Sequence, residues 1–133
     1  MTIERDRLAA VEILTILAEA GICGSRIGPG QVNERVEKAN KVDPQEFVAV
    51  ACWLESEGFI RLPHQVDLAT GNFPGATLTA EGFEFLGKPS PIDPKDNVYT
   101  ALVKHTEPSA RSTLAEFIGS ILGSASSYLN TQR

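Results

Sequence analysis

The chain has few of the residues that mark a reaction centre. Among its 133 residues are two cysteines, Cys23 and Cys52, and two histidines, His64 and His105. The cysteines lie far apart and in no CxxC pair, so two free thiols in a reducing cytoplasm are expected. A metal site assembled from His64, Cys52 and Asp67 would lack the short, regular ligand spacing of zinc modules, and the histidines read as surface residues. There is no GxSxG elbow and no Cys–His signature. Two glycine patterns also fail. The segment 82–88 has the glycine and lysine spacing of a phosphate-binding loop, but Pro89 stands where Ser or Thr must hold Mg²⁺, and its first glycine falls in a helix. Gly24, Gly28 and Gly30 have the wrong spacing for a dinucleotide fingerprint. No enzyme, cofactor or metal is expected.

Long apolar runs are absent as well. The amino-terminal run is broken by Glu12 and Glu19, so it has neither the uninterrupted apolar stretch of a signal peptide nor the roughly 18 apolar residues of a membrane span. A cytoplasmic protein without a membrane partner is expected. Positive charge is the third scarcity. Seventeen acidic residues outweigh twelve basic ones, for a net charge of −5. That balance argues against a general polyanion binder, because affinity for phosphate backbones rests on clustered Lys and Arg.

What remains is ordinary globular material, 42% hydrophobic and of a length suited to one domain with an appended helix. Leu8, Val11, Leu14, Leu17 and Ala18 recur at helical spacing, widened by Ile13 and Ile16, and Gly21 stops the run: a first, amphipathic helix over 4–20. A glycine-rich loop follows, with room for a very short extended piece around 23–27. A short second helix is expected from Pro29 or Gln31 to Ala39. The third has the clearest start in the chain. Asp43 caps it, Pro44 sits where its missing N–H is harmless, and Glu46 completes a capping-box pattern. Phe47, Val50, Ala51 and Leu54 share its inner face, and Gly58 ends it. Residues 59–62 and 76–79 read as strands around a hairpin loop with Gly71 at positive φ. Thr79 caps a helix over 80–86, closed by Gly87. Three prolines then make 88–96 an extended connector, Asp96 opens a brief helix, and a last helix runs to about Leu129.

Two joints carry a family likeness: LESEGFIRL at 54–62, a helix ending at glycine and passing into a strand, and LTAEGFEFL at 78–86, a strand passing into a capped helix. With a capped helix before the first and a hairpin-length gap between, residues 4–87 resemble the winged-helix superfamily, in particular the MarR-like and PadR-like regulators. The implied fold is mainly α with a small β-hairpin: a winged helix-turn-helix over 1–87, the connector 88–96, and additional helices over 97–133 that pack or dimerise. An isolated hairpin is marginal in water, so the two-stranded ribbon must lean on the helices.

In DNA-binding members the third helix enters the major groove and offers polar or basic side chains to base edges and phosphates. The outward positions here include Gln45, Glu46, Ala49, Cys52, Trp53 and Ser56. No Lys or Arg lies between Lys41 and Arg61, while Asp43, Glu46, Glu55 and Glu57 add negative charge. The wing carries Asp67 and lacks the arginine that MarR-like wings present at the tip. The first expectation is therefore an interaction module that works through protein contact, as a dimer or as a small modulator or inhibitor of a larger complex. Its partner surface would be Gln45, Ala49, Trp53, Ser56 and His64. Trp53 has a competing assignment, packed beneath the connector or the last helix. The alternative is a MarR/PadR-type transcriptional regulator using Arg26, Arg35, Lys38, Lys41 and Arg61. In the tail, Leu114, Phe117, Ile118, Ile121, Leu122, Ala125 and Leu129 form an apolar stripe, and Ala115, Gly119, Gly123 and Ser127 a stripe of small residues. Such spacing lets two helix backbones approach closely. The expectation is a homodimer through Leu114, Phe117, Ile118, Gly119, Ile121, Leu122 and Gly123, with packing on the chain's own domain as the competing assignment; a membrane-surface helix, the third, is disfavoured because the tail lacks a Lys/Arg-rich polar face.

Overall fold

The computed structural model describes residues 3–63, 66–67 and 69–132, with side chains described within 4–121. Its elements are α1 (Ile3–Ala20), β1 (Ser25–Ile27), α2 (Pro29–Asn33), α3 (Pro44–Ser56), β2 (Ile60–Arg61), β3 (Phe73–Leu78), α4 (Ala80–Leu86), α5 (Val98–Lys104) and α6 (Pro108–Gln132). The architecture is mainly helical with one small antiparallel sheet in the order β1-β3-β2.

The middle of α1 is buried on every side. All residues from 8 to 18 are buried, Glu12 and Thr15 included, because α3, α5, α6 and the sheet all pack on this helix. A helix enclosed in this way carries the core rather than one face of it. The amphipathic pattern located α1 but not its full enclosure. One continuous cluster of buried side chains runs from Leu8 to Ile118, so α5 and α6 share their core with the first 87 residues.

The capping signals produce the geometry that they encode. Asp43 Oδ1 accepts from Glu46 N at 2.7 Å, and Thr79 Oγ1 accepts from Gly82 N at 3.0 Å. The reciprocal half of the expected capping box is not made: Glu46 turns inward and pairs with Arg5 of α1 at 2.8 Å. Asn97 rather than Asp96 caps α5, its Oδ1 accepting from Thr100 N at 2.8 Å.

Three other expectations are corrected. The sheet has three strands, not two, because Ser25 and Ile27 of β1 pair with Ala76 and Phe73 of β3. The second helix ends at Asn33 rather than Ala39. There the Asn33 side chain clasps Val42, donating to its carbonyl at 2.8 Å and accepting its N–H at 2.9 Å, and this draws the chain round toward α3. The connector 88–96 is folded back, not extended. Val98 N donates to Lys88 O and Ser90 N to Asp96 O, both at 2.9 Å, which closes the prolines into a loop over a buried Ser90. Gly71 has the expected positive φ, 76°, in a tip where its N–H donates to Asp67 O.

Candidate interaction surfaces

Of the residues assigned to partner binding, Gln45, Ala49 and Ser56 lie exposed along α3. Trp53 is half-buried against the core cluster and, with Ala49, Val50 and Asp6 of α1, walls a small pocket of about 140 Å³. Glu46, placed outward by the sequence, is buried at 8% exposure by its pairing with Arg5. His64 lies outside the described residues. Cys52 is exposed, and partial burial followed by the nearby charge of Glu55 raises its thiol above the ordinary value, so little of it is thiolate at neutral pH.

The basic residues are spread over separate elements. Arg26 is exposed on β1 and Arg61 on β2, with β3 between them, and Lys38 and Lys41 are exposed in the connection from α2 to α3. Arg35 sits just past α2 and faces glutamates, 3.7 Å from Glu19 and 3.9 Å from Glu12. Affinity for a duplex rests on clustered cations, and among the described residues these five come from three separate parts of the fold.

The tail residues are mostly engaged within the chain. Leu114 and Ile118 are fully buried on α1. Phe117 stacks against Phe85 of α4, ring centroids 6.0 Å apart, and Ile121 is half-buried against the same core. Gly119 is covered by the side chain of Arg7. These five residues thus pack within the chain, since the apolar stripe that suits a dimer also suits α1. The side chains of Leu122 and Gly123 lie outside the described residues.

Two features were missed. The first is a buried polar centre. Arg111 of α6 donates from Nε to Glu12 at 3.0 Å and from Nη2 to Glu12 and Thr15, each at 2.8 Å. Its Nη1 donates to the carbonyls of Leu102 at 2.7 Å and His105 at 3.2 Å, at the end of α5. One guanidinium thereby ties three helices, with all five of its N–H groups used. A lone arginine amid small and apolar residues, and a glutamate inside an apolar run, were the available signals. The second is an apolar groove of about 360 Å³ lined by Ala18, Gly21, Ile22, Phe83, Leu86, Gly87, Asn97 and Tyr99. Ile22 is 86% exposed, Phe83 38% and Tyr99 42%, and Val103, one turn after Tyr99 on α5, is 41% exposed. Among the described residues these are the large apolar side chains left in solvent, and three of them line one groove.

Among the described residues no group of His, Cys, Asp and Glu is placed to hold a metal ion, and no helix is long and apolar enough to cross a membrane. No protein-family model, curated protein or solved structure matches the chain.

Proposed function

We propose that the chain is a non-catalytic winged-helix module that acts through protein–protein contact, as a small modulator docked on a larger complex. The element order supports the winged-helix reading: α1, β1, α2, a capped α3, then β2 and β3 in an antiparallel sheet with β1. The acidic, cation-free α3 disfavours a groove of DNA as its target. The observation that carries the contact reading is the convergence of Ile22, Phe83 and Tyr99 on one groove. A contiguous apolar surface left in water is costly unless a partner covers it. Self-association through the end of α6, where Leu122 and Gly123 lie, belongs to the same reading, and sedimentation of the intact chain tests it.

The test compares affinity capture from the native host by the intact chain and by a Phe83→Glu, Tyr99→Glu variant of unchanged circular dichroism. A protein retained in stoichiometric amount by the first and lost by the second is the expected result. In parallel, labelled duplex from the chain's own upstream region is run with the protein at low salt. A retarded band that weakens steeply with salt and with Arg26→Ala and Arg61→Ala would overturn the reading in favour of a transcriptional regulator.

A further inference from the structure

Ile22 lies on the short turn Gly21–Cys23 that follows α1, and Gly24 N closes this turn by donating to Gly21 O at 3.1 Å. Gly21 and Gly24, both at positive φ, redirect the chain on either side of it. The Ile22 side chain is thereby held out in water, 86% exposed. It stands beside the apolar groove of about 360 Å³, whose walls include Phe83 of α4 and Tyr99 of α5. One face of the molecule thus carries an aliphatic projection and an apolar hollow side by side.

We infer that in the free chain this groove is covered by a second copy, the two related by a twofold axis that places Ile22 of each in the groove of the other. A projection next to a hollow is what such an axis makes self-complementary, since each copy gives what the other receives. Charge agrees. Residues 80–104, which supply α4, the connector and α5, hold four acidic and three basic side chains in a chain whose net charge is −5. Like charges brought together across an interface are costly, so two copies repel least on this nearly balanced face. A strongly acidic or strongly basic partner finds no matching field there. Extent agrees as well. Ile22, Phe83, Tyr99 and, one turn further on α5, Val103 are the exposed apolar members of the face. A patch on the order of a few hundred Å² falls short of the roughly 800 Å² per partner of a standard interface, so the dimer is weak and reversible. A larger partner that docks on the same groove displaces the second copy, which shields the apolar surface until then.

The inference rests on the contact reading of the groove, and its test is sedimentation equilibrium of the intact chain over a range of concentrations. The expected result is a monomer–dimer equilibrium in the micromolar range, weakened at least about tenfold by Ile22→Glu. That position is almost fully exposed, so the fold accommodates the change, which circular dichroism checks. Tyr99→Lys, which alters the hollow rather than the projection, should weaken the dimer likewise. An equimolar mixture of the two variants should associate more tightly than either alone. In the mixed dimer one intact groove receives Ile22, and at the other contact the introduced carboxylate meets the introduced ammonium. A wild type that is monomeric at millimolar concentration, a dimer unaffected by Ile22→Glu, or a mixture no tighter than its components would overturn the inference. A monomeric wild type that still captures a host protein through Phe83 and Tyr99 would remove this inference alone and leave the contact reading standing.

Discussion

Replacing Arg111 by Met tests the packing on which every other feature depends. The substitution keeps most of the side-chain stem and removes the guanidinium, leaving Glu12, 2% exposed, with only Arg35 at 3.9 Å. It also strips donors from Thr15 Oγ1 and from the carbonyls of Leu102 and His105. Removing one member of a buried ion pair costs about 3–5 kcal/mol, because the surviving charge stays out of water. Against a total stability of roughly 5–15 kcal/mol for a domain of this kind, that is a large fraction. The midpoint of thermal unfolding should fall by roughly 10–20 °C at this chain length. Replacing both partners, Glu12→Gln with Arg111→Met, removes the stranded charge and should recover at least half of the loss. Urea denaturation followed by Trp53 fluorescence and by circular dichroism gives the four stabilities of the cycle. An Arg111→Met protein within about 1 kcal/mol of wild type, or a double variant no better than the single one, would refute the clamp.

The remaining predictions concern local joints. Thr79→Ala removes the acceptor for Gly82 N and the hydroxyl donor to Gly58 O, and should cost about 1–2 kcal/mol in urea. Gly24→Ala combines a φ of 74° with a Cβ driven into the Ala76 carbonyl of β3, so it should cost upwards of about 2 kcal/mol and loosen β1, read by amide exchange at Ile27. Asp6 makes a pH prediction of the less usual sign. Its carboxyl, facing Glu46 and Arg5, is raised by burial and by Glu46, so the folded chain holds this proton more tightly than the unfolded one. Its contribution therefore favours folding most below 3.8, the ordinary value, and is lost as pH rises through the raised one. Asp6→Asn should then be more stable than wild type at pH 7 and indistinguishable from it near pH 3, measured by melts across that range; a variant less stable at pH 7 would count against the reasoning.

What the sequence made legible is governed by interactions close along the chain. Asp43 and Thr79 cap helices three residues away, Gly58 and Gly71 take positive φ where the chain must turn, and each was readable because cause and effect lie within one turn of backbone. The errors fall where a distant group intervenes. Glu46 fitted the capping box until Arg5, some forty positions earlier in the chain, offered a better partner. The second helix had the composition to continue, but Asn33 found Val42 nine residues ahead. Glu12 read only as a break in the amino-terminal apolar run, and Arg111, ninety-nine residues away, accounts for its burial.

The same logic separates the surfaces. A helical stripe such as that of Leu114, Phe117, Ile118 and Ile121 states that a face must be covered and carries no information on whether the cover comes from the same chain or another. In this fold α1 and α4 cover Leu114 and Ile118 fully and Phe117 and Ile121 in part, and the Arg7 side chain lies over Gly119. Ile22, Phe83 and Tyr99 had no shared period to announce them, since they come from the short turn after α1, from α4 and from α5. They meet only because the folded connector 88–96 returns α5 alongside α4. The apolar surface left without an internal partner was therefore invisible to any periodic reading, and its position depends on the loop closed by Lys88 and Val98. Breaking that closure, with Val98→Pro removing the donor to Lys88 O, should disperse the groove and weaken partner capture together. Capture retained by a folded variant with α5 displaced would place the contact elsewhere.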